Sequence, residues 1–157
     1  MGSGSAGVST TLVYEATGIV RAGGEGRLDA HGLVAPFDAT AGRLETLPGP
    51  ADLLGAALCA CILKNVERFS HMLPFAYESA KVKVVADREE PPPHIARMRY
   101  ELEIVTEEPP ARVELLHRNI QRFGTITNTL GKACDLSGTI RAVAKSGALP
   151  GESTGTP

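Results

Sequence analysis

The feature that most limits how this chain can fold is the segment that begins at Leu47-Pro-Gly-Pro-Ala-Asp52 and runs to about His71, rich in Ala and Leu and free of proline after Pro50. Pro50 suits the first turn of a helix, where its missing N–H is not needed, and Asp52 is favourable beside the positive N-terminal end. About 20 helical residues make a rod of roughly 30 Å, long enough to cross a small domain. The other elements must be arranged around it. At about 100° per residue, Leu58, Ile62, Asn65 and Phe69 fall on one side and Lys64, Glu67, Arg68 and His71 on the other. The longest apolar run, Leu53 to Leu63, is about half of what a bilayer span needs, so no membrane crossing is expected.

The flanking sequence reads as strands. Thr11 to Val20 and Arg27 to Phe37 are extended pieces joined by the glycine-rich turn Arg21-Ala-Gly-Gly-Glu-Gly-Arg27; His31-Gly32 is a tight turn and Pro36 favours a sheet edge. After the helix, Ala80, Val82 and Val84 alternate with Lys81 and Lys83. Beyond the Arg88 to Pro93 loop, Met98, Tyr100, Leu102 and Ile104 alternate with Arg97, Arg99, Glu101 and Glu103. That is a long hairpin with one wet face. Pro110 opens a second helix carrying Val113, Leu116, Ile120 and Phe123, a short helical turn from about Ile126 should stop at Gly131, and a last strand runs from about Ala133 to Val143. The order predicts an α+β fold in which helices cover the apolar face of a sheet.

The 157 residues suit one domain over 10–145, between tails at 1–9 and 146–157 that lack any apolar period. A formal charge of −2 with no basic stripe argues against a nucleic-acid partner. Three cysteines do not make a secreted disulfide framework, and the first residues carry no secretory pattern, so a cytoplasmic location is expected. His31, His71, His94 and His117 have no partners at ligand spacing, so no metal is expected. The glycine-rich turn lacks the Lys-Ser/Thr ending of a phosphate loop.

The cysteines separate by position. Cys134, in phase with Leu136 and Ile140, reads as an inward-pointing small hydrophobe on the last strand. Cys59 and Cys61 are about 200° apart around one helix and cannot pair without breaking it. Cys61 sits on the shoulder between the apolar strip and the charged side, where a thiol can be half covered and still meet a substrate.

Read as a unit, Pro50-Ala-Asp-Leu-Leu-Gly-Ala-Ala-Leu-Cys-Ala-Cys61 resembles the central-helix signature of the OsmC/Ohr family, with a reactive cysteine eleven residues after the proline. Cys61 holds that place and Cys59 does not. The order of elements is similar over roughly residues 10 to 144. The resemblance implies an OsmC-like fold, antiparallel sheets wrapped around a long central helix, in an intertwined homodimer whose two sites draw on both chains. It also implies a thiol peroxidase without a bound cofactor, in which an arginine and a carboxylate hold the thiolate and a second cysteine captures the oxidised one. Arg27, which begins a strand, is favoured over Arg21 for the guanidinium. Asp52 stands in for the family's glutamate, whose position is Ala51 here. The place of the second cysteine is taken by Gly124, in Phe123-Gly-Thr-Ile-Thr-Asn128, and not by Cys134. The expected activity is reduction of organic hydroperoxides through Cys61 with an external thiol or dithiol as reductant. The alternative is a redox-inactive dimer that binds a small apolar ligand at the subunit interface.

Overall fold

The computed structural model describes residues 10–146. The tails read at 1–9 and 146–157 lie outside these residues, except for Ser146. Within the span read as one domain the chain forms two compact units, divided between Pro50 and Ala51.

The N-terminal unit is an antiparallel meander of β1 (Thr17–Arg21), β2 (Glu25–Ala30) and β3 (Leu33–Asp38), in that order across the sheet. Its first strand begins at Thr17 rather than Thr11. The register fixed by the Ala22 to Gly24 turn pairs Thr17 with Asp29, and β2 ends one residue later, so the residues before Thr17 have no strand to bond. The Arg27 to Phe37 stretch is two strands, split at His31-Gly32. Both turn residues have positive φ, 48° and 85°, as a two-residue hairpin connection of right-handed twist requires. Pro36 lies on β3, at the sheet edge, where a missing N–H costs no ladder bond. Asp38 ends β3. Its carboxylate accepts from the N–H and hydroxyl of Thr40 and from the N–H of Leu44, and these bonds hold it below the usual carboxylate range.

The long helix α1 spans Pro50–Met72, as its sequence predicts. Among the described residues no helix is long and apolar enough to cross a membrane. It is followed by β4 (Ser79–Glu89), β5 (His94–Val105), α2 (Pro110–Phe123), α3 (Thr125–Ala133) and β6 (Asp135–Val143). The sheet order is β4-β5-β6, with β4 antiparallel and β6 parallel to β5. This sheet is therefore mixed rather than antiparallel throughout. A parallel pair needs a crossover connection, and α2 and α3 supply it between β5 and β6. The third helix runs through Gly131 instead of stopping there. Gly131 is exposed and its φ is not left-handed, and a glycine within a helix costs only about 1 kcal/mol against alanine. Cys134 is consequently the C-cap of α3, not a strand residue: its N–H donates to Leu130 O.

One face of the sheet is wet. Lys81 and Lys83 stand opposite Glu103 and Glu101, and Arg97 and Arg99 bond Asp87. The other face carries Met98, Tyr100, Leu102 and Ile104 into a core with Leu58, Ile62, Val66 and Phe69 of α1 and Val113, Leu116 and Ile120 of α2. Arg112 fixes the exit of α1 to the start of α2 by donating to Leu73 O and Pro74 O while pairing with Glu108, whose carboxylate accepts the N–H of Ala76.

Tyr100 and His117 bring one polar pair into this core. The Tyr100 hydroxyl and His117 Nε2 are 2.8 Å apart, with the rings edge to face. Burial holds the His117 imidazole below its ordinary 6.5, partly opposed by Glu114. An unfolded chain takes up that proton more readily than the folded one, so stability rises with pH here. This contribution is complete above about 6.5 and is lost as the pH falls from there through the depressed folded value. The urea midpoint should therefore drop between about pH 7.5 and pH 5, before most carboxylates titrate, and His117→Phe should flatten that drop. An unchanged pH slope in the variant would remove His117 from the account.

Candidate functional site

Cys61 lies near the middle of α1, half-buried, on the border between the buried strip and the charged side, where the helical wheel predicts it. Its surroundings come from two places in the chain. Asn65, one turn further along α1, donates from Nδ2 to Cys61 O at 2.8 Å and approaches Sγ at 3.7 Å. From α3, the Thr127 hydroxyl stands 3.9 Å from Sγ. Between them is Gly124, the N-cap of α3, which supplies no side-chain cap. A Cβ built on Gly124 would lie 3.2 Å from Cys61 Sγ and 2.6 Å from Thr127 Oγ1. The sulfur thus faces the first turn of α3.

The position that the family resemblance assigns to a second cysteine is therefore in contact range of Cys61 and has no side chain. In a disulfide, the Cβ of one cysteine and the sulfur of the other are roughly 3 Å apart. Position 124 has that spacing to the sulfur, but Thr127 Oγ1 would lie 2.6 Å from a Cβ there, so a side chain at 124 would require Thr127 to shift.

The other thiols are differently placed. Cys59 is half-buried, and burial pushes its thiol above the ordinary value, away from reactivity. Cys134 packs against the core and its Sγ contacts Leu130 O at 3.4 Å. All three cysteines are free.

Asp52 is in the first turn of α1, nine residues before Cys61. At 1.5 Å and about 100° per residue that is about 13 Å along the axis and half a turn around it, so the two residues of one chain cannot meet. Arg27 is exposed on β2, in the N-terminal unit, with its backbone paired between Ile19 and Pro36; Arg21 ends β1. Among the described residues no group of three or more His, Cys, Asp or Glu could hold a metal ion. Sequence reasoning overlooked Asn65 and Thr127. Asn65 carried a signal, as the polar residue among apolar ones on the buried strip. Thr127 carried none, being 66 residues from the sulfur it approaches.

A family model described as "OsmC-like protein" matches residues 43–137. No curated protein matches the chain. Among solved structures, an OsmC-like protein from Mycoplasma pneumoniae is 15% identical with a TM-score of 0.75, over 86% of this chain and 99% of that one. An organic hydroperoxide resistance protein OsmC from Legionella pneumophila is 14% identical with a TM-score of 0.67, over 83% and 98%. An organic hydroperoxide resistance protein from Elizabethkingia anophelis is 13% identical with a TM-score of 0.69, over 85% and 99%.

Proposed function

Since the chain belongs to the OsmC-like protein family, we propose that it is a thiol-dependent peroxidase for organic hydroperoxides with Cys61 as nucleophile. The observation that carries this reading is the half-buried Cys61 sulfur, set against the first turn of α3 beside Gly124 and Thr127.

The Cys61 thiolate attacks the distal oxygen of the hydroperoxide. The O–O bond breaks, the alkoxide leaves and takes up a proton as an alcohol, and the sulfur, oxidised by two electrons, becomes a sulfenic acid. With Gly124 in the second position there is no internal thiol to capture it. An external thiol attacks the sulfenic sulfur and expels water, giving a mixed disulfide, and a second thiol releases Cys61 while the two reductant sulfurs become a disulfide. The same reading puts the protein in a reducing cytoplasm, which supplies such thiols.

The roles of Arg27 and Asp52 rest on the family resemblance. Because Asp52 cannot reach Cys61 within one chain, its role requires a second copy. A homodimer is also favoured by the apolar side chains that the N-terminal sheet leaves exposed, Ile19, Val20, Leu33 and Val34.

One experiment tests the whole reading: native and denaturing mass spectrometry after one equivalent of cumene hydroperoxide. The native mass should be twice the 16.5 kDa of the chain. The denatured chain should carry a single oxygen, trapped by a sulfenic-acid reagent at Cys61. A Cys61 to Cys134 disulfide would overturn the one-cysteine cycle. No oxidation would favour the redox-inactive ligand-binding dimer, and a monomer mass would remove the shared site.

A further inference from the structure

We propose that Asn65 and Thr127 are positioning residues that hold the Cys61 sulfur in its ionised form by donating to it from two helices. The inference rests on Cys61 being the reactive thiol and adds how this chain prepares it. Asn65 occupies the buried strip of α1, among Leu58, Ile62, Val66 and Phe69, and is 7% exposed. Asparagine is a poor residue for a helix interior, and leucine would fill a similar volume with no polar group to satisfy. Its amide has two hydrogens, and two acceptors lie in reach, Cys61 O at 2.8 Å and Cys61 Sγ at 3.7 Å. The backbone bond fixes the amide, and the fixed amide presents its second hydrogen to the sulfur.

Thr127 approaches from α3, within the crossover between β5 and β6. Its hydroxyl is 3.9 Å from Sγ and the residue is 8% exposed. A neutral thiol is a weak acceptor and a thiolate a strong one, so donors at these distances favour the anion and draw closer when it forms. Gly124 is what lets them converge, since a Cβ there would stand 2.6 Å from the Thr127 hydroxyl oxygen and 3.2 Å from the sulfur. The side chains that approach the sulfur within hydrogen-bond reach, Asn65 from α1 and Thr127 from α3, are not titratable.

The test is alkylation of Cys61 by iodoacetamide, resolved from Cys59 and Cys134 by peptide mapping, in the full chain. At about pH 7, Asn65→Leu and Thr127→Val should each slow alkylation about fivefold, and Thr127→Ser should restore the wild-type rate. At about pH 10.5, well above the ordinary range of thiols, the rates should agree within about twofold. Equal rates at the lower pH would overturn the proposal, as would an equal slowing at both, which would mean altered access alone. If Asn65→Leu does not fold, the Thr127 pair decides. Because alkylation needs no peroxide, the two readings fail separately. A wild type inactive toward cumene hydroperoxide, with the pH-dependent slowing intact, removes the peroxidase and keeps the donors. An active wild type with no slowing does the reverse.

Discussion

Cys61→Ser should reduce the consumption of cumene hydroperoxide, with dithiothreitol as reductant, to the rate seen without protein, a loss on the order of a thousandfold or more. Serine keeps the shape but is not ionised near neutrality and cannot cycle through a sulfenic acid. Cys59→Ala and Cys134→Ala should keep most of the activity, because burial holds the Cys59 thiol in its neutral form and Cys134 is engaged at the end of α3. A Cys61→Ser protein that consumes peroxide at the wild-type rate would end the peroxidase reading. Loss of turnover in Cys134→Ala, with the fold intact, would instead restore a two-cysteine cycle and contradict the place given to Gly124.

The largest stability effect is expected at Gly138. This residue of β6 is paired with Tyr100 of β5, and the Tyr100 ring lies across it: a Cβ would fall 2.0 Å from Cζ, 2.1 Å from Cε1 and 2.4 Å from Cδ1. Gly138→Val must therefore displace either the ring or the strand. Moving the ring takes the Tyr100 hydroxyl from His117 in a buried setting, and moving the strand opens the parallel ladder. Overpacking costs about 1–3 kcal/mol and a buried polar group left without its partner about 1–3 more, a large share of the roughly 5–15 kcal/mol that holds a typical domain. The midpoint of urea unfolding should fall accordingly, and Tyr100→Leu in the same chain should recover part of the loss. A Gly138→Val midpoint within error of the wild type would show that the ring has room to move.

Most of the architecture was legible because its elements advertise themselves locally. The proline-free run after Pro50 has one period and one start signal, and the strict alternation from Arg97 to Ile104 admits only a half-buried strand. The misreadings occurred where a partner decides. Thr11 to Tyr14 have strand-forming side chains, yet β2 ends before it could pair with them. Gly131 looks like a stop, but neighbouring turns carry the helix past it, and that moved Cys134 from a strand to a helix cap. The parallel direction of β6 follows from the crossover and not from anything in its own residues. The half-buried place of Cys61 on α1 was legible from the helical wheel. Its neighbours were not equally so, since Thr127 reaches the sulfur only through the folded path of α2 and α3.

That path also sets an order of assembly. The strand β6 can join β5 only after the chain between them, with both helices, has been brought round, and closing so long a segment is entropically late. Cys61 and Asn65 meet within one helical turn, but Gly124 and Thr127 arrive with the crossover. On a ribosome, α1 is complete well before residues 124–127 have been synthesised, so each new chain passes through an interval in which its thiol is without its α3 neighbours. If Asn65 and Thr127 prepare Cys61 as proposed, that preparation is complete only when residues 124–127 have joined α1, near the end of folding.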